Sequence, residues 1–239
     1  MTSSTPTIDP QAVCQKDIQT LFTNITPRYD LLNTLLSFRI DHYWRSVAVR
    51  IGLEISPKRI IDIGTGTGKL LSAFQAKQSF DYCAGVDLCE SMLQKAGETV
   101  RAQRTIFACA DALTLPLQEG TFDLAVSAFT MRSLPDLGKF FTELARILIP
   151  GGRMVMLELT RPEVWWLRAA YYPYLNFYLP FLGWLISGDR NAYRFLADSI
   201  MSFKDRPAIL ALIESNGFRN ARAVNLTGGL ATLFVADRK

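Results

Sequence analysis

Apolar positions follow two rhythms along this chain, a short run typical of buried strands and a three-to-four spacing typical of helices. The run Ile60-Ile61-Asp62-Ile63 leads into Gly64-Thr65-Gly66-Thr67-Gly68 and then into a helical pattern over residues 70–77. A β-branched run, a glycine turn and a helical rhythm predict a buried strand, a turn and a helix start. The same reading predicts strands at 82–87, 106–112, 122–128 and 153–158, each of the middle ones followed by helical or turn signals. Helices are expected at 91–101, with Ser91 as N-cap, and at 137–148, closed by the stop signal Pro150-Gly151-Gly152. This regular alternation predicts a doubly wound, mostly parallel α/β sheet. Near the end, helices at 191–200 and 206–216 (with Gly217 as C-cap) precede strands at 221–226 and 230–236. Thr227-Gly228-Gly229 joins those two strands and signals a hairpin that adds an antiparallel edge.

Two regions depart from the alternation. Residues 17–49 carry helical spacing through Leu21, Phe22, Ile25, Leu31, Leu32, Leu35 and Leu36, interrupted before Pro27. They read either as a helical pair packed on the domain or as a cap over a ligand. The second region, 164–186, holds nine aromatic residues and, from 169 to 187, no charge. Pro173 and Pro180 inside it favour a broken helical segment over a membrane span. Its aromatics suit a pocket wall or lid, a membrane-interface surface, or a plain core helix pair.

Composition narrows these readings. With 239 residues, 49% hydrophobic and 20% charged, the chain suits a globular protein with a large core. A net charge of +4 without a dense Lys/Arg block argues against a nucleic-acid partner. Four cysteines without a C-x-x-C pair, and a single histidine, predict no metal site and a reducing, cytoplasmic setting. Residues 1–16 read as a disordered tail and 17–239 as one domain, with a helical cap at about 17–50 and a lid insertion at about 163–203.

The candidate chemistry gathers at predicted strand ends. Gly64 and Gly66 leave the backbone open to a ligand, and the amides of the helix start can donate to it. Lys69 excludes the dinucleotide spacing G-x-G-x-x-G, while Ile63 and Leu70 exclude a P-loop. Asp87, about twenty residues beyond the glycines, is placed to accept from ribose hydroxyls. Asp111 ends the next strand and can accept from an adenine amine, and Arg132 follows the fourth strand. Ligands in doubly wound sheets bind beyond such strand ends.

The motif D-x-G-x-G-x-G at Asp62–Gly68 resembles motif I of S-adenosylmethionine-dependent methyltransferases. More of the chain is similar to one branch of them, the C-methyltransferases of ubiquinone and menaquinone biosynthesis. The resemblance rests on Tyr29-Asp30-Leu31-Leu32-Asn33, Ser37-Phe38, Trp44-Arg45, Asp111-Ala112, Met131-Arg132, Pro150-Gly151-Gly152, Leu157-Glu158, the stretch from Tyr193-Arg194 to Ser199-Ile200, and Asn225-Leu226-Thr227-Gly228-Gly229. It implies a Rossmann-like class I fold: a seven-stranded, mostly parallel sheet with helices on both faces and the last strand antiparallel. It implies S-adenosylmethionine as cofactor, with Thr67, Asp87, Asp111 and Ala112 at family cofactor positions beside Gly64 and Gly66. The implied substrate is a prenylated quinol, demethylmenaquinol or the analogous benzoquinol, methylated on carbon. Arg132 is the expected oxyanion-stabilising residue, Tyr29 a proton relay, and Glu158 an acid near Arg132 or its orienting partner. Asn33, Trp166, Tyr172 and Tyr193 are expected to contact the substrate. Contact with the inner membrane face and pairing into a homodimer stay open, as do O- or N-methylation and a non-catalytic cofactor-binding role. Two departures bear on the pocket: Ser133 replaces the family's Asn, and Ala128 its cofactor-contacting Ser.

Overall fold

The computed structural model describes Ser37 and residues 39–100, 104–178 and 197–239. The expected tail, most of the cap, and Tyr29, Asn33 and Tyr193 lie outside the described residues. In chain order the elements are α1 (Ile40–Leu53), β1 (Arg59–Ile63), α2 (Lys69–Gln75), β2 (Tyr82–Asp87), α3 (Glu90–Thr99), β3 (Thr105–Cys109), β4 (Phe122–Ala128), α4 (Leu137–Ile147), β5 (Leu148–Leu159), α5 (Trp165–Pro173), α6 (Arg206–Ser215), β6 (Phe218–Leu226) and β7 (Ala231–Arg238). Residues 197–202 are also helical.

The strands form one seven-stranded sheet in the order β3-β2-β1-β4-β5-β7-β6. The β1–β2, β1–β4, β2–β3 and β4–β5 pairs are parallel. β7 runs antiparallel between β5 and β6, so the hairpin supplies the reversed strand and β6 becomes the edge. The chain order reverses direction across the sheet between β1 and β4. That is where open α/β sheets leave a crevice beyond the strand ends.

Apolar residues on both sides of the inner strands β1, β2, β4, β5 and β7 explain the continuous hydrophobic runs. Ile61 and Ile63 pack with Phe122, Met154, Met156 and Phe234 on one face, and Phe140, Phe141, Leu144 and Ile147 of α4 cover it together with Ile209 and Ile213 of α6. Ile60, Leu124, Val126 and Val155 turn to the other face, under Trp44, Ala48 and Ile51 of α1 and Leu71 and Phe74 of α2. The period-two alternation of the strands thus feeds two separate cores. Asp136 and Asp205 cap α4 and α6 by accepting from Lys139 N–H (2.9 Å) and Ala208 N–H (3.1 Å).

Three boundary expectations are corrected. α3 starts at Glu90 with Cys89, not Ser91, as its N-cap: Cys89 holds extended backbone, with its amide donating to Asp87 Oδ1 at 2.9 Å, and Ser91 already lies within the helix. Pro150-Gly151-Gly152 lies inside β5, where the pairing with β4 shifts register, so the motif makes a bulge and α4 ends of itself at Ile147. β3 stops at Cys109, leaving Asp111 in a turn, where its own carboxylate accepts the Leu113 amide at 2.9 Å. Among the described residues, no helix is long and apolar enough to cross a membrane.

Candidate active site

The tips of β1, β2 and β4 border an open cleft holding about 840 Å³ of space, lined by Gly64, Gly66, Asp87, Met92, Ala112 and Phe129 among others. Two glycines set its shape, both with positive φ (66° at Gly64, 53° at Gly66). A Cβ on Gly64 would lie 2.3 Å from Thr130 Oγ1, so this glycine lets the turn close against the chain leaving β4. A Cβ on Gly66 would meet no atom within 4 Å, leaving that stretch of backbone open to a ligand.

Asp87 ties the glycine turn to β2. Its Oδ2 accepts Gly66 N–H at 2.8 Å and its Oδ1 accepts Cys89 N–H at 2.9 Å. Burial raises its carboxyl above the ordinary range, and the amides of Cys89, Gly66 and Leu88 oppose that shift. With three amides on its four acceptor sites, the carboxylate retains one for a ligand hydroxyl. Ala110 and Ala112 line the cleft, whereas Asp111 does not.

Gly64, Gly66, Ala128 and Phe129 also line a smaller pocket behind the turn, which adds Arg45, Asp62, Thr65, Thr67 and Lys69. Asp62 is fully buried. Its Oδ2 accepts the Thr65 hydroxyl at 2.8 Å, and its Oδ1 has no partner among the described residues. Burial pushes this carboxyl up to about 7, against the Thr65 hydrogen bond and the Arg45 charge. Arg45, ion-paired with Asp41, keeps an Nε with no acceptor among the described residues. One buried oxygen and one buried N–H without partners, lining one small pocket, suit a ligand that carries an ammonium and a carboxylate. Neither residue was singled out as a ligand from the sequence, although Asp62 opens the glycine motif and Arg45 belongs to Trp44-Arg45.

Arg132 lies in the 3₁₀ turn Met131–Ser133 that follows β4. Its Nη1 donates to Glu158 Oε1 at 2.5 Å and to Phe129 O at 2.8 Å, and its backbone N–H reaches Glu158 Oε2 at 3.1 Å. Glu158, wholly buried near the end of β5, therefore fixes both the side chain and the backbone of Arg132. The Nε and Nη2 edge of the guanidinium has no acceptor among the described residues. Arg132 lines neither space directly. It borders them through Phe129, whose ring centroid lies 6.0 Å from Arg132 Cζ and 5.4 Å from Arg45 Cζ. Phe129 holds φ at 65°, a strained value for a bulky residue at a strand tip.

Tyr171 of α5 feels the charge of Arg132. Burial raises its hydroxyl well above the ordinary value, Tyr174 adds to this, and Arg132 pulls it back. Tyr171 stacks on Tyr174 with centroids 5.8 Å apart. The expected contacts Trp166 and Tyr172 are 58% and 55% exposed, and Tyr172 lines a different cavity, beside Arg206. The structure therefore gathers Gly64, Gly66, Thr67, Asp87 and Ala112 around the cleft and its side pocket, sets Arg132 beside them, and leaves Trp166 and Tyr172 apart. Ser127 cannot stand in for the residue replaced by Ala128, since its hydroxyl is buried against Ile63 O at 2.6 Å. No group of metal-ligating side chains occurs among the described residues.

Comparison with known proteins adds the family. The ubiE/COQ5 methyltransferase family matches residues 11–238. A demethylmenaquinone methyltransferase from Thermus thermophilus is 42% identical over 220 residues, covering 91% of this chain and all of that protein. A ubiquinone/menaquinone biosynthesis C-methyltransferase from Syntrophotalea carbinolica is 40% identical over 225 residues, covering 93% of this chain and 94% of that one. A solved S-adenosylmethionine-dependent methyltransferase from Thermotoga maritima superposes with a TM-score of 0.66 at 19% identity, over 93% of this chain and all of that one, a likeness of fold alone.

Proposed function

This chain belongs to the ubiE/COQ5 methyltransferase family, and we propose that it methylates a ring carbon of demethylmenaquinol, the reduced prenylated quinone. It is an S-adenosylmethionine-dependent methyltransferase of quinone biosynthesis. The choice of the naphthoquinol follows the naming of the 42% identical relative. Supporting the reading is one observation above the rest: the Asp62 oxygen and the Arg132 edge that have no partner among the described residues, and the open face of Gly66, all lie at neighbouring strand tips.

The residues present fit the cofactor. Asp62 and Arg45 would hold its ammonium and carboxylate, Gly66 its open flank, Asp87 its ribose, and Ala112 with the apolar cleft its adenine. Thr67 lines the pocket of the amino-acid end, and Asp111 would address the base from the neighbouring turn. When bound, the cofactor supplies an electrophilic methyl group on sulfur. The chain must then align the ring carbon with it, an effect worth about 7–11 kcal/mol in well-oriented cases.

A quinol carbon becomes nucleophilic when a ring hydroxyl loses its proton. A phenol releases that proton near pH ~10, so the site has to stabilise the anion. The Nε and Nη2 edge of Arg132 is suited to that oxyanion, and Glu158 keeps it aimed. A guanidinium does not act as the base itself. The proton passes to water or to Tyr29. The prenyl tail, drawn from the bilayer, would run along α5 past Trp166 and Tyr172, and Asn33 and Tyr193 are further expected contacts. The test is product analysis after incubation with methyl-labelled cofactor and short-chain demethylmenaquinol. Label on the naphthoquinol ring carbon is expected; label on oxygen, or none, overturns the assignment.

A further inference from the structure

We infer that the outer face of α5 and the basic cavity at its foot form a docking site for anionic phospholipid, which seats the protein on a bilayer surface. None of the nine residues of α5 is buried. The exposed large hydrophobic residues concentrate here: Val164, Trp165 (79% exposed), Trp166, Tyr172 and, one turn on, Tyr178. A short helix with an unburied aromatic face and little net charge is the form that lies in a membrane interface, where indole and phenol rings find both apolar and polar surroundings.

The charge beside it matches an anionic surface. An open cavity holding about 1070 Å³ of space lies between α5, residues 160–163 and the approach to α6, and its lining includes Arg161, Arg168, Lys204 and Arg206. Arg206 is already committed: its guanidinium donates to Thr160, Thr232, Gly229 O and Arg161 O and pairs with Glu163 at 3.0 Å. The two acids of the cavity are committed as well, Glu163 to Arg206 and Asp205 to the cap of α6. The other three cations have no carboxylate partner among the described residues. Arg161 and Arg168 each donate to a single carbonyl, of Phe203 (3.1 Å) and Pro162 (3.2 Å), and Lys204 is exposed. Exposed indoles flanked by cations that have no carboxylate partner among the described residues complement phosphate headgroups above acyl chains.

The inference rests on the reading of the substrate as a membrane lipid, but its test needs no substrate. The full chain is mixed with vesicles of pure phosphatidylcholine or of phosphatidylcholine with phosphatidylglycerol, and binding is read by co-sedimentation. Binding to the anionic vesicles, weakening with added salt, is expected. The triple variant Trp165→Ala, Arg168→Gln, Lys204→Gln should lose on the order of 100-fold in partitioning, since each surface cation contributes about fivefold and the indole more. That variant should still methylate a short-chain quinol without vesicles at the parental rate, which also shows that it is folded. Equal binding by parent and variant, or equal binding to neutral and anionic vesicles, overturns the inference. So does a stable dimer that Trp165→Ala converts to monomer, because a second copy would then be what covers this face. Loss of quinol methylation in the parent would instead count against the proposed reaction, leaving the vesicle result to stand by itself.

Discussion

Asp62 carries an uncommon balance for a carboxyl group. It is buried, half satisfied by Thr65, and lifted to about pH 7 by desolvation. In the unliganded chain it keeps its proton up to that pH, while the unfolded chain releases it near 3.8. The native state therefore binds the extra proton between those values, and the unliganded chain loses stability as pH rises through that window, by at most about 4 kcal/mol. An ammonium beside Oδ1 reverses the preference, because it favours the ionised form. Cofactor binding must then expel a proton below about pH 7, and the dissociation constant should rise roughly tenfold per pH unit on the acid side. Calorimetry from pH 5.5 to 8 would show this slope, and Asp62→Asn should abolish it while weakening binding at pH 8 by about tenfold or more. A pH-independent affinity in the parent would remove Asp62 from the ammonium site.

The β1–turn–α2 element shows how much of the site was legible in the chain and where legibility ended. The strand, the turn and Asp87 could be read directly, because a buried strand needs its apolar run and the turn needs positive φ. What could not be read is which glycine serves the fold and which serves the ligand. Gly64 faces Thr130 at a distance no Cβ tolerates, whereas Gly66 faces open space. Gly64→Ala should therefore lower stability by about 2 kcal/mol or more through clash and strain. Gly66→Ala should cost only about 1 kcal/mol of backbone strain and instead reduce cofactor affinity, since the methyl would project into the cleft. Thermal melts with cofactor titration separate the two; an unaltered affinity in Gly66→Ala would mean the ligand lies elsewhere. Other elements were hidden for similar reasons. Arg45 and Tyr171 join the site only through tertiary packing of α1 and α5, which periodicity does not encode. The aromatic stretch read as a pocket wall or an interface; of its described half, Trp165, Trp166, Tyr172 and Tyr178 are exposed, while Tyr171, which feels the charge of Arg132, and Tyr174 stacked on it are half-buried. Pro150-Gly151-Gly152 carried the composition of a stop signal, yet β5 runs through it as a bulge.

At the scale of the whole molecule, the cleft opens across the gap between β1 and β4, where the proposed reaction would bring cofactor and quinol together, and the Arg132–Glu158 pair bridges the far side of that gap from β4 to β5. Glu158 is fully buried and bonded to the backbone and side chain of Arg132 and to the Leu159 amide at 2.8 Å. A pair this buried is not justified by stability alone, since removing its charges together is often neutral while removing one costs about 3–5 kcal/mol. On the proposed reading, its value is to hold a cation at a fixed place beside Phe129, against the ionised ring oxygen of the quinol. Three consequences can be measured together. Arg132→Ala should cut kcat by about 10²–10³ while the cofactor dissociation constant holds, because the guanidinium favours the ionised quinol that attacks and does not touch the cofactor. Glu158→Gln should destabilise the fold by about 3 kcal/mol, and at a temperature where it remains folded should lower kcat nearly as much, since an unaimed guanidinium is a poor stabiliser. The double variant should be no slower than Arg132→Ala, because the carboxylate acts only through the arginine. If the two losses multiplied, Glu158 would have a role of its own in moving the proton; if Arg132→Ala weakened cofactor binding and spared turnover, the pair would belong to the cofactor site and the quinol oxyanion would need another partner.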